Sequence, residues 1–182
     1  MRHAVVAFLA LLLSAPGIAS AKANTLRIEI TGPKLSRPLQ ITSPEIVQSF
    51  HIWNGPGVTV NGEPVHLDPA NQRGHFIDWP RGIANDRSAG MQRFTITFHL
   101  DVEQRPPPYE DWSRYVVFYE FEPSKTGGYI YLPLGKDTQP HFNSAISHGV
   151  EGNWFFSTAA WEQHIRAAIT TQQRLTATAS AK

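Results

Sequence analysis

The chain has no cysteine among its 182 residues, which excludes disulfide scaffolds, cysteine enzymes and lipid attachment through a lipoprotein cysteine. Its stability must come from packing. An excess of charge of either sign is also missing, with 16 basic against 15 acidic side chains. That balance leaves no basic patch or stripe of the kind nucleic acid or an acidic membrane would require. Long hydrophobic runs are scarce: the apolar run Ala4 to Leu13 is too short for a membrane span, which needs roughly twenty residues, and no later run approaches that length. Catalytic signatures are absent as well. There is no Gly-x-Ser-x-Gly elbow, phosphate-binding glycine loop, dinucleotide fingerprint or His-Glu-x-x-His pair.

What is present begins with a leader. Arg2, the apolar run, the Pro16-Gly17 break and the small residues Ala19-Ser20-Ala21 follow the order of a cleavable signal peptide over residues 1–21. Cleavage after Ala21 releases a chain starting at Lys22, and Ala21-Lys22-Ala23 offers a second site that would start it at Asn24. The expected product is soluble and extracytoplasmic, either periplasmic or secreted, with one β-rich domain over 22–169 and a disordered, Thr- and Ala-rich tail over 170–182.

Alternation dominates the interior of the chain. Phe94, Ile96, Phe98, Leu100 and Val102 alternate with Thr95, Thr97, His99, Asp101 and Glu103, the pattern of a strand with one face buried. Leu26, Ile28 and Ile30 predict a shorter strand of the same kind. Tyr115 to Phe121 is apolar on both faces and, across a Gly127-Gly128 turn, meets Tyr129 to Leu132 as a hairpin. Further strands are expected at Pro38 to Thr42, at Val58 to Val60 and Val65 to Leu67 across Asn61-Gly62, at Ile146 to Val150 and at Trp154 to Phe156. Ser43-Pro44-Glu45 opens a short helix with Ile46, Val47 and Phe50 inward. A second starts near Ser157 or Thr158 and lines up Trp161, Ile165 and Ala168 or Ile169. The fold class is therefore mainly β (α+β): an antiparallel sheet or β-sandwich with two short packed helices.

The polar stretch from Asp68 to Gln92 lacks either period, and loops of that length inside a domain tend to carry function. It supplies the candidate binding residues His75, Asp78, Trp79 and Arg81, joined by Trp112 from a second segment rich in proline and charge. Trp79 and Trp112 are expected to be exposed, where an aromatic ring offers an apolar face and a polar tip to a ligand. Histidines near carboxylates, such as His66 with Asp68, His99 with Asp101 and His148 with Glu151, raise a metal site, but their spacing is that of ordinary strand faces. No metal and no cofactor is expected. Glu120 with Glu122 reads as a solvated strand face, and Pro106-Pro107-Pro108-Tyr109 as a stiff connector. The function these features favour is non-enzymatic binding of a small-molecule, carbohydrate or protein ligand, or an envelope-associated role. The alternative is a secreted hydrolase or metal-dependent enzyme using the 66–81 region.

Gly57-Val58-Thr59-Val60-Asn61-Gly62, Phe76-Ile77-Asp78-Trp79-Pro80-Arg81-Gly82, Tyr115 to Phe121, Gly128-Tyr129-Ile130-Tyr131-Leu132-Pro133 and Glu151-Gly152-Asn153-Trp154 together resemble a group of uncharacterised exported bacterial proteins. The resemblance spans most of the chain after the leader. It implies an extracytoplasmic address and no activity, cofactor or site residue.

Overall fold

Period-two alternation sets the architecture in the computed structural model, which describes residues 24–52, 55, 56, 59, 60, 63, 64, 74–101, 113–138, 143 and 148–180. The strands are β1 (Asn24–Thr31), β2 (Leu39–Ile41), β3 (Thr59–Val60), β4 (Glu63–Pro64), β5 (Gln92–Asp101), β6 (Arg114–Phe121), β7 (Gly128–Tyr131) and β8 (Trp154–Phe156). Six of them form one antiparallel sheet in the order β2-β1-β5-β6-β7-β8. The other two, β3 and β4, pair across Asn61-Gly62. Among the described residues the sheet is a single layer backed by helix, not two packed sheets. The fold is mainly β with an α+β arrangement. Residues 65–67, 102 and 103, expected in strands, lie outside the described residues, as do 146 and 147, while 148–150 form no strand.

Strand β5 runs through the middle of the sheet with Phe94, Ile96, Phe98 and Leu100 buried, as its alternation requires. Beside it, β6 sends Tyr115, Val117, Tyr119 and Phe121 to the same side. In β1 the expected alternation breaks at one point: Ile28 and Ile30 are buried, but Leu26 is 57% exposed. The cause is a bulge. Thr25 opposes Leu100 and Arg27 opposes His99, so Leu26 is the extra residue and is turned out of the core.

The buried face is closed by one continuous helical run. Thr158 caps α2 (Ala159–Trp161), accepting a 3.2 Å hydrogen bond from the Trp161 amide. A five-residue π-turn, Glu162–Arg166, then leads into α3 (Ala167–Ser180). Trp161, Ile165 and Ile169 are all fully buried, as the apolar stripe predicts. Trp161 sits at the centre, its ring 5.0 Å from Phe50, 5.6 Å from Phe76, 5.8 Å from Tyr119 and 6.2 Å from Phe98. The short helix α1 (Pro44–Val47) brings Val47 and Phe50 to the same core, although the Ser43 side chain makes no capping bond.

The second helix is longer than expected, and the segment expected to be a disordered tail from residue 170 is helical to Ser180. Its low apolar content is offset by polar anchors. Thr170, Thr176 and Thr178 donate to the carbonyls of Arg166, Gln172 and Arg174, each four residues back. Gln173 ties the helix to the sheet through the Pro33 carbonyl at 2.8 Å and Gln92 at 3.0 Å.

Arg166 and Glu162 lock this helix to the β6–β7 hairpin. Glu162 accepts from Tyr119 Oη at 2.6 Å and from Ser157 Oγ at 2.5 Å. Arg166 donates to Glu162 at 2.8 Å, to the carbonyls of Gly127, Glu122 and Lys125, and lies over the Phe121 ring. A tight packing contact completes the joint: a Cβ on Gly128 would lie 2.6 Å from the Tyr119 ring and 2.9 Å from the Glu120 carbonyl. Only glycine fits there.

Candidate functional site

The face of the sheet turned away from the helix divides into two halves. Over β1 and β5 it carries Arg27, Glu29, Thr31, Thr95, Thr97 and His99, the polar surface normal for an antiparallel sheet with one side in water. Over β6, β7 and β8 the same face is aromatic. Register places Phe118 opposite Tyr131, Tyr131 opposite Trp154 and Tyr129 opposite Phe156. The rings pack as a half-buried layer: Phe118 to Tyr131 at 6.0 Å and nearly parallel, Tyr131 to Trp154 at 5.0 Å, Tyr129 to Phe156 at 5.4 Å. Register explains why Tyr115 and Tyr119 are core while Tyr129 and Tyr131 are not: Tyr119 lies opposite the buried Ile130, whereas Tyr129 and Tyr131 lie opposite Glu120 and Phe118 on the other face.

Three arginines lie on this layer. Arg81 stacks over Phe156 with its guanidinium carbon 3.5 Å from the ring centre, and Arg87 over Trp154 at 3.8 Å. Arg93 stands 5.5 Å from Trp154 and 5.7 Å from Phe118. Beneath them Glu120 is 4% exposed, one carboxylate oxygen bound by Arg87 and the other by Arg93 Nε at 2.6 Å. This overturns the reading of Glu120 as a solvated carboxylate. A charge in that position is tolerable because two guanidinium groups neutralise it. Glu122, by contrast, is held near the surface by Lys125 and Ser124, which lower its pKa. At the far side Tyr131 Oη donates to Asp137 at 3.0 Å, and burial followed by that bond raises the phenol pKa.

The expected site residues are separated by the edge of the sheet. The segment from Ile77 to Ala84 runs along β8 as an irregular extra strand, with Ile77 bridged to Ser157 and Ile83 to Phe155. Backbone bonds from Asp78 to Phe156 and from Ala84 to Trp154 flank a single 3-10 turn, Trp79–Arg81. That turn sends Trp79 and Arg81 to opposite sides. Trp79 is only 9% exposed, packed 5.0 Å from Phe155 and 5.3 Å from His148, so the expectation of an exposed ring was wrong. Arg81 is exposed on the aromatic face. Asp78 is half-buried and opens the turn without capping it by its side chain. His75 is half-buried, and its carbonyl accepts from Thr158 Oγ1 at 2.9 Å. Trp112 lies outside the described residues. Of the four that are described, Arg81 alone belongs to the aromatic–arginine face. Sequence reasoning pointed to the long loop that holds Arg87 but missed Phe118, Tyr129, Tyr131, Trp154, Phe156, Arg93 and Glu120. Their signal was the second, equally apolar face of the 115–121 strand, which a one-sided sheet does not need.

On the inner side, Trp79 belongs to a buried histidine pocket. His148 donates from Nδ1 to the Pro56 carbonyl at 3.1 Å, and its backbone amide bonds Glu151 at 2.5 Å. Its ring lies 6.4 Å from that of Tyr115. Gly55 closes the pocket at φ +142°, where a Cβ would be 2.6 Å from the Trp79 ring. Burial lowers the His148 pKa, only partly opposed by the Pro56 carbonyl and Glu151. Burial, then Arg27, lowers that of His99 too. Both rings therefore take up protons more readily in the unfolded chain, whose histidines titrate near 6.5. Stability should be level above about pH 7 and fall as the pH drops through about 6.5 toward the lower folded values. Denaturant melts at pH 7.5 and 5.5 check this, and His148→Gln should flatten the difference; an unchanged slope would remove His148 from the account.

Chemically the outer face offers planar, positively charged hydrogen-bond donors on an aromatic floor. Among the described residues no group of three or more His, Asp or Glu side chains could hold a metal ion. Nor is any described helix long and apolar enough to cross a membrane. Ser157, the one serine bonded to a carboxylate in the core, spends its hydroxyl on Glu162 and the backbone of Gly128, bonds that tie the helix to the hairpin. No protein-family model, curated protein or solved structure matches the chain.

Proposed function

We infer that the protein is an exported, non-enzymatic binding domain whose ligand lies on the aromatic–arginine half of the sheet. The observation that carries this reading is the layer itself: five aromatic rings and three arginines on the side of the sheet that, among the described residues, has no α-helix packed against it. Aromatic residues and arginine are the residue types most concentrated where proteins bind their partners. The enzyme alternative drew on residues 66–81, and in the described part of that segment Trp79 and Arg81 face opposite sides of the sheet edge, which brings no acid, base and nucleophile together.

Trp154→Ala tests the surface. Because Trp154 is on the outer face, the variant should keep its near-ultraviolet circular dichroism envelope and its helix content while association with isolated bacterial envelope polysaccharide falls at least about tenfold, the loss expected when a central aromatic contact is removed. Undiminished association would sink this use of the face. Export rests on the leader alone. N-terminal sequencing of protein recovered from the periplasm or medium of an expressing bacterium should read from Lys22, and retention in the cytoplasm with Arg2 still in place would overturn it.

A further inference from the structure

Resting on that reading of the outer face, we propose that the ligand is an acidic polysaccharide, and that Arg81 and Arg93 hold its carboxylates. Arg81 covers Phe156 at 3.5 Å and Arg87 covers Trp154 at 3.8 Å, so a neutral sugar or a nucleobase would have to displace an arginine before it could stack on either ring. The rings act as shelves for guanidinium groups. A guanidinium lying flat on a ring keeps its plane fixed and turns its N–H edges outward, which suits the two parallel bonds of a carboxylate.

Charge and donor count point the same way. Arg87 and Arg93 share Glu120, and even with Asp137 on Tyr131 counted, the three guanidinium groups leave a net positive charge on the strip. Arg93 binds Glu120 through Nε, its side chain is 55% exposed, and among the described residues its two terminal nitrogens make no bond. Arg81 is exposed and has no carboxylate partner among the described residues. Glu120 itself demonstrates the fit, since a carboxylate already sits between two of these groups.

The spacing suits a polymer. Phe156 and Trp154 are two positions apart on β8, roughly 6.5–7 Å along a strand, so Arg81 on the one and Arg93, 5.5 Å from the other, stand in a row that meets separate charges of a chain. Next to Arg93, the polar half of the face supplies the hydroxyls of Thr95, Thr97 and Thr31, which match sugar hydroxyls, with Glu29 and its partner Gln40 beyond them. A nucleic acid strand would ask instead for free ring faces and a broad basic field, and 16 basic against 15 acidic residues supply no such field.

The test titrates the purified full chain with polygalacturonate, with its fully methyl-esterified form, which is the same polymer without charge, and with oligothymidylate. Binding to polygalacturonate should weaken as salt rises and fall at least about tenfold in Arg81→Gln/Arg93→Gln, the loss of two charge-assisted contacts. Arg174→Gln, on the helix side, should leave it unchanged; the double variant, which takes one partner from the buried Glu120, should melt lower than the wild type but keep its far-ultraviolet circular dichroism at the temperature of the titration. Three results overturn the proposal: equal affinity for the esterified polymer, preference for oligothymidylate, or full affinity in the double arginine variant. Binding of the esterified polymer that is lost in Trp154→Ala would refute the acidic ligand and leave the surface standing. Affinity for none of the polymers, with Trp154→Ala still binding envelope polysaccharide, would refute both.

Discussion

Trp161→Ala should lower the melting temperature by about 10 °C. The ring is fully buried and contacts Phe50, Phe76, Phe98 and Tyr119, which come from four different stretches of the chain. Truncating a buried tryptophan costs about 3–5 kcal/mol in lost transfer energy and cavity. A domain of this size shifts by roughly 2–4 °C per kcal/mol, from a total stability of about 5–15 kcal/mol. Trp161→Phe should recover more than half of the loss, since it refills most of the cavity. Calorimetry of the three proteins decides the matter; a shift under about 3 °C for alanine would mean that the surrounding rings collapse into the space.

Arg166→Ala should cost about 2–4 kcal/mol, because it breaks charge-assisted bonds to Glu162 and to three carbonyls of one hairpin turn. The expected loss is larger than for a surface ion pair, typically about 0–1 kcal/mol, because Arg166 and Glu162 side chains are 15% and 17% exposed. Lysine keeps the charge but cannot reach several carbonyls at once, so Arg166→Lys should restore less than half. Amide exchange supplies the second readout: the 122–128 turn should lose protection before the β5–β6 ladder does. Uniform loss across the sheet would show that Arg166 stabilises the fold generally, without clamping the hairpin.

Much of this architecture was legible from local pattern. Phe94 to Leu100, Tyr115 to Phe121 and the stripe Trp161-Ile165-Ile169 each fixed an element because each repeats with one period over several residues. What escaped was set by residues far away in sequence. Leu26 fits the alternation of β1, and nothing in its neighbours marks it as the extra residue of a bulge. Trp79 stands among polar residues and proline, and is buried because the segment pairs with residues of the β8 region about 70 to 80 positions later and turns its ring toward Phe155 and His148. Glu120 looked solvated until Arg87 and Arg93, 33 and 27 residues earlier, were placed beside it. The tail read as disordered from its composition, yet Gln173 reaches Pro33 across 140 residues of sequence. The candidate face was half visible: its aromatic content could be read, but the arginines that cover it come from a loop and a neighbouring strand.

The segment that runs along β8 also determines how this protein behaves in company. A sheet ends in two rows of unpaired amides and carbonyls, and such rows recruit other strands, which is the route to aggregation. Here the β8 side is occupied at Asp78 and Ala84 by the chain's own backbone, and the intervening turn at Trp79–Arg81 is too tight and irregular to template another strand. The opposite side ends in β2, three residues long and preceded by Pro38, which has no amide to offer. A chain without disulfides thus finishes its own sheet at both sides, and the broad face, not an edge, is where its backbone pairing leaves side chains open to contact.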